Sequence, residues 1–141
     1  MAKFNSIEEA VFQVKAGKMI IVVDDEEREN EGDLVCSAEA ITPELVNFMA
    51  KEGRGLICTP LDFEIADHLK FPPMVKENNE FNRCNFTISV DFKFGTSTGI
   101  SASDRARTIK AIANKKSDSK DFVRPGHIFP LRAKKGGVLV R

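Results

Sequence analysis

The 141-residue chain has no tryptophan and no tyrosine, so its aromatic packing falls to eleven phenylalanines, which bring no polar tip into a core. Cysteine is scarce too. Cys36, Cys58 and Cys84 form neither a CxxC pair nor a zinc spacing, and their odd number excludes a simple disulfide framework. They read as reduced thiols. No apolar run approaches the roughly 18 residues of a membrane span. The opening MAKFNSIEEA also lacks the apolar region of a secretory signal, so the expected location is the cytoplasm, with no membrane association. An excess of one charge is absent as well: 21 Lys and Arg balance 21 Asp and Glu. Eleven of the basic residues lie from Arg105 onward, but they are dispersed among apolar residues without interleaved exposed aromatics. That layout argues against nucleic acid and for a small anionic substrate, or the acidic half of a partner subunit.

What is present is enough apolar residue, 42%, to bury the core of one domain over residues 1–141. Ser6 with Glu9 forms a capping box for a helix whose Ile7, Ala10, Val11 and Val14 share a face and which Gly17 stops. Met19–Val23 reads as a buried strand. Thr42-Pro43-Glu44 opens a second helix that Gly53 ends, followed by a short strand at Leu56-Ile57-Cys58 and a short helix over Asp62–Leu69. After the break at Pro72-Pro73, the aperiodic stretch from Lys76 to Cys84 reads as a mobile loop. Phe86, Ile88 and Val90 alternate with Thr87, Ser89 and Asp91, which predicts a strand with the apolar set buried. A helix from about Ser103 to Asn114 should bury Ala106, Ile109 and Ala113. Lys115–Asp121 is a surface connection, and His127–Leu131 and Val138–Val140 read as strands joined by a turn at Gly136-Gly137. The order of elements predicts an α/β (α+β) fold, a mixed sheet covered by helices.

The densest chemical signal is VDDEERENEGDL, Val23 to Leu34, with seven carboxylates in the ten positions from Asp24 to Asp33 and Arg28 among them. Carboxylates this close repel one another unless a cation compensates them. The stretch starts at the carboxyl end of the Met19–Val23 strand, where ligands collect in open α/β sheets, and its oxygens suit Mg2+ or Mn2+. A solvated acidic loop is the plainer alternative, and Arg28 serves equally as charge relief or as a planar donor fork for substrate oxygens. Of the two histidines, His68 sits in the helical stretch DFEIADHLK as a surface residue. His127 follows Arg124-Pro125-Gly126 at the mouth of a strand. It suits a proton shuttle there, or a buried histidine satisfied by a carbonyl. TSTGIS, Thr96 to Ser101, gathers hydroxyls before a helix, which serves an anion or only the helix cap. Cys58 ends a strand and is either a structural thiol or a site residue.

RENEGD (Arg28 to Asp33), GRGLIC (Gly53 to Cys58), PPMV (Pro72 to Val75), FTISVD (Phe86 to Asp91), TGISASDR (Thr98 to Arg105) and RPGHIFPLRAKKGGVLVR (Arg124 to Arg141) resemble, in order and spacing, the blocks of 3,4-dihydroxy-2-butanone 4-phosphate synthase, an enzyme of riboflavin biosynthesis. The resemblance covers nearly the whole chain. It implies that family's fold, a homodimer, and conversion of D-ribulose 5-phosphate to L-3,4-dihydroxy-2-butanone 4-phosphate and formate. It also implies a metal-ligand role for Glu29, substrate contacts from Arg28, Glu29, Asp33, Thr98 and Arg141, and catalytic roles for His127, Cys58 and Asp104. The family continues at this point as R-x-G-H-T-E, of which the sequence has the Arg, Arg141; the histidine three positions beyond it is the family's second metal ligand, so the sequence reads as lacking the family's C-terminal segment. Two rival readings share these residues: a sugar-phosphate isomerase, whose enediol chemistry is similar, and a non-catalytic sugar-phosphate-binding or dimerisation fragment.

Overall fold

The computed structural model describes residues 4–134, apart from residues 26, 28 and 29. The elements run α1 (Ile7–Lys15), β1 (Ile20–Val23), β2 (Gly32–Val35), α2 (Pro43–Phe48) continuing into a π-helical turn (Met49–Gly53), β3 (Cys58–Leu61), α3 (Phe63–His68), β4 (Val90–Phe92), α4 (Ala102–Ala113), a 3-10 turn (Ser119–Asp121) and β5 (Phe122–Arg132). β1 and β2 make an antiparallel hairpin. The second sheet has the order β3-β5-β4, with β5 parallel to β3 and antiparallel to β4. This is an α+β architecture in which helices α2 and α4 pack together and α4 lies on β4 and β5. Among the described residues, no helix is long and apolar enough to cross a membrane.

Local chemistry sets the helix starts. Ser6 Oγ accepts from Glu9 N–H at 3.2 Å while Glu9 returns the bond to Ser6 N–H at 2.9 Å, the expected capping box. Thr42 Oγ1 caps Leu45 N–H, with Pro43 at the first helical position, and Asp62 caps α3 through Glu64 N–H. The helical path from Pro43 ends after Gly53, where Arg54 turns left-handed at φ 53°.

The core joins Val46 of α2, Ala106, Ile109, Ala111 and Ile112 of α4, Val90 of β4 and Phe122 and Ile128 of β5. The expected face of α4 is thus present at Ala106 and Ile109, with Ala113 half-buried. Phe71 closes one end, edge-on to Phe122 with centroids 5.3 Å apart.

Three expectations need correction. Met19–Val23 is no buried strand: among the described residues β1 pairs only with β2, and Ile21, Val22 and Val23 are exposed, as are Ile7 and Val11 of the apolar face of α1. Second, the strand expected at Leu56–Cys58 runs over Cys58–Leu61, because pairing with β5 starts at Cys58 opposite Phe129. Third, the alternation expected over Phe86–Asp91 holds only at Val90, which is in the core. Thr87, Ser89 and Asp91 are buried, whereas Phe86 and Ile88 are only half-buried. The cause is the pairing with β5 (Phe122–Arg132). Its register shifts between Val90, opposite Ile128, and Asp91, opposite Val123, so residues 124–127 lie off that ladder and polar side chains bond β5 directly. Thr87 Oγ1 donates to Pro130 O, Ser89 Oγ accepts from Gly126 N–H, and Asp91 accepts from His127 N–H. The stretch from Lys76 to Cys84 is a loop, as expected, with bonds of its own: Asn78 Nδ2 donates to Cys84 O, and Glu80 accepts from Asn82 and Cys84 N–H. The turn at Gly136-Gly137 and the strand at Val138–Val140 lie outside the described residues.

Gly126 lets β5 come close against β4, since a Cβ there would run into the backbone of Val90 and Asp91. Gly126→Ala should therefore lower stability by at least about 2 kcal/mol, the scale of forced overpacking, read as a drop in Tm of several degrees. An unchanged Tm would mean that β4 and β5 can separate at no cost.

Candidate active site

β5 has two unlike faces. Phe122, Ile128 and Pro130 are buried in the core, while Val123, Pro125, His127, Phe129 and Leu131 are exposed or half-buried on the other side. Side chains alternate along a strand, and paired residues of neighbouring strands share a face. Cys58, opposite Phe129, therefore lies on the same outer face as His127.

His127 is held from behind. Its backbone N–H donates to Asp91 Oδ1 at 2.9 Å, and its ring Nδ1 lies 2.7 Å from Asp91 Oδ2. The Asp91 side chain is 8% exposed and that of His127 39%. Gly99, at φ +91°, covers the pair so closely that a Cβ there would overlap the Asp91 carboxylate and come 2.7 Å from His127 Nδ1. That glycine is in turn fixed by Asp104, whose Oδ2 accepts from Ser97 Oγ at 2.8 Å, Gly99 N–H at 3.0 Å and Ser97 N–H at 3.2 Å. The Ser97 hydroxyl foremost, then these amides, hold the Asp104 carboxyl below its usual range. Ser101 caps α4 through Asp104 N–H. The amides of TSTGIS at Ser97 and Gly99 are thus spent on a carboxylate, and Thr98 stands exposed between them.

Cys58 is half-buried, and desolvation, then the charge of Asp33, then Cys84, push its thiol up to about 11. At neutral pH it is a neutral thiol. The effect of Asp33 joins the β1–β2 hairpin to this face of the sheet, so Asp33, Cys58 and His127 belong to one region. A cavity of about 570 Å3 between the 73–80 loop, Cys84 and Arg132 borders that region through Cys84, but Asp91, His127 and Cys58 do not line it.

His68 keeps to the surface in α3, its Nε2 3.0 Å from Ser117 O. Arg124 is structural: its guanidinium bonds Leu69, Ser119 and Phe122 carbonyls and lies over the Phe71 ring. In the acidic hairpin, Asp24 Oδ1 accepts from Glu31 N–H and Asp25 Oδ1 from Glu27 N–H. Arg28, Glu29 and Arg141 lie outside the described residues. Among the described residues, no three His, Cys, Asp or Glu side chains gather closely enough to hold a metal. The donors that the hairpin offers are all carboxylate oxygens, which fits a hard divalent ion. Two contributors were not foreseen, Asp91 and Gly99. An acid on the polar phase of an alternating strand is the one signal that could have found Asp91.

Fold and geometry define an α+β domain whose central strand presents a carboxylate-backed histidine beside a protonated thiol and an acidic hairpin. The family model of 3,4-dihydroxy-2-butanone 4-phosphate synthase matches residues 8–141. The chain belongs to that family. It is 59% identical over 138 residues to the riboflavin biosynthesis protein RibBA of Bacillus subtilis (strain 168), covering 98% of this chain and 34% of the relative. It is 50% identical over 141 residues to the 3,4-dihydroxy-2-butanone 4-phosphate synthase of Neisseria meningitidis serogroup B, covering 100% of this chain and 39% of the relative. A crystal structure of 3,4-dihydroxy-2-butanone 4-phosphate synthase in complex with two magnesium ions superposes with a TM-score of 0.95 at 42% identity, covering 98% of this chain and 64% of that one. The chain thus spans little more than a third of the length of these curated relatives.

Alkylation tests the placement of Cys58. With its pKa at about 11, roughly a thousandth of the thiol is ionised at pH 8, so iodoacetamide should modify it slowly and ever faster up to about pH 11. Asp33→Asn should speed the reaction at fixed pH, since one of the charges opposing the thiolate is gone. Equal rates in the two proteins would separate the hairpin from Cys58.

Proposed function

We propose that this chain carries the site for converting D-ribulose 5-phosphate to L-3,4-dihydroxy-2-butanone 4-phosphate and formate. The observation that carries the reading is the Asp91–His127 pair on the same face of the sheet as Cys58, in a chain of this family. The reaction must remove a proton from the carbon beside a carbonyl and stabilise the enediolate that results. His127, through Nε2, takes that proton. Asp33 accepts hydrogen bonds from sugar hydroxyls, and Arg28 offers its planar fork to substrate oxygens. Thr98 and Arg141 complete the substrate contacts. Cys58, uncharged near neutral pH, acts as a weak donor to a sugar oxygen rather than as a nucleophile. Asp104 supports the site from behind, because its carboxylate is already filled by Ser97 and Gly99.

Mg2+ or Mn2+, with Glu29 as its ligand, supplies Lewis-acid stabilisation of the developing negative charge when bound. We further propose a cytoplasmic homodimer, for which the exposed Ile7, Phe12 and Ile21 offer apolar contact surface.

A chain extended through the family's C-terminal segment, incubated with ribulose 5-phosphate and Mg2+, should release formate; a five-carbon product alone would make the protein an isomerase. Glu29→Gln should cut formate release at least about a hundredfold with the fold intact, the usual scale for lost charge stabilisation. His127→Asn should abolish turnover while substrate binding stays within a few fold, and His68→Asn should change neither. Equal losses from the two histidine variants would remove the acid/base assignment.

A further inference from the structure

We infer that Asp91 is a positioning residue that fixes both the orientation and the tautomer of His127, with Gly99 as the backbone surface that closes the pair from water. The inference rests on the acid/base role proposed for His127 and deepens it. One carboxylate takes two bonds from the same residue, one from its backbone N–H and one at its ring. Gripped at both points, the imidazole has little torsional freedom left. The Asp91 carboxylate is almost fully buried and its oxygens can only accept, so the Nδ1 nitrogen must be the donor. In the neutral ring the lone pair then sits on Nε2, on the edge away from Asp91, and the His127 side chain keeps 39% of its surface exposed.

The arrangement suits proton abstraction. The C–H electron pair passes into the enediolate, the proton goes to Nε2, and the imidazolium formed keeps its Nδ1–H on Asp91. Gly99 explains why water does not compete for that bond. Its backbone lies against both groups, and any side chain there would overlap them. Asp104 pins Gly99 in place from the N-terminus of α4.

The substitution Asp91→Asn separates this role from mere packing. The His127 backbone N–H needs an acceptor and takes the amide oxygen, which leaves the amide NH2 facing Nδ1. That nitrogen must then accept, and the proton moves to Nε2. His68→Asn leaves His127 as the one histidine, so nitrogen-15 NMR at a pH where the ring is neutral reads a single imidazole. We expect a protonated Nδ1 and an unprotonated Nε2 when Asp91 is present, and the reverse pattern after Asp91→Asn. We also expect kcat to fall by about a thousandfold or more, with KM for ribulose 5-phosphate within a few fold, as for a wrong tautomer. A protonated Nε2 in the protein that retains Asp91 overturns the inference without any need for the variant to fold. So does an inverted pattern in the Asp91→Asn variant with turnover within a few fold. The expected NMR pattern together with no formate release would support the pairing and sink the assigned reaction instead.

Discussion

β5 crosses the middle of its sheet, and its pairing with β4 jumps from Ile128, opposite Val90, to Val123, opposite Asp91, so residues 124–127 lie off that ladder. Backbone N–H groups off a ladder need other acceptors, because buried polar groups without partners are costly. Ser89 Oγ takes the Gly126 N–H and the Asp91 carboxylate takes the His127 N–H. A carboxylate placed to bond the His127 backbone is also placed to hold the imidazole of the same residue.

The N-terminus of α4 supports this arrangement from the other side. A helix start favours negative charge, and Asp104 in the first turn meets that preference while gathering Ser97 and Gly99. Holding Gly99 there brings backbone, with no side chain, against the Asp91–His127 pair. A carboxylate that sequence motifs suggest for chemistry is thus occupied with shape.

The thiol of Cys58 adds a different kind of control. It is half-buried near Asp33, so its charged form is opposed both by desolvation and by a like charge. Sign and window follow: the folded protein favours the neutral thiol, so this group's contribution to stability is intact below about pH 9 and is lost as pH rises toward about 11. The same environment keeps the site face free of a reactive thiolate near neutral pH.

Much of this was legible in the sequence where the cause is local. Ser6, Thr42, Pro43 and Asp62 mark helix starts through bonds reaching two or three residues, and those starts are where the sequence puts them. The motif blocks around Asp33, Cys58, Asp104 and His127 likewise identified the family and the candidates, because chemistry-bearing residue types recur at fixed spacing. Burial was not legible. Alternation cannot say which phase of Phe86–Asp91 faces inward, and an apolar run such as Ile20–Val23 looks the same in a two-stranded hairpin as in a covered sheet. Those choices depended on partners far away in the chain: Asp91 lies 36 residues from His127, and nothing between them in sequence announces the bond. By itself, then, the sequence determined the local starts, the acidic hairpin and the list of reactive groups. Only the tertiary structure decided that Asp91 and Gly99 belong behind His127, because that contact exists only once β4 and β5 pair with their register shift and the Asp91 carboxylate takes the His127 N–H.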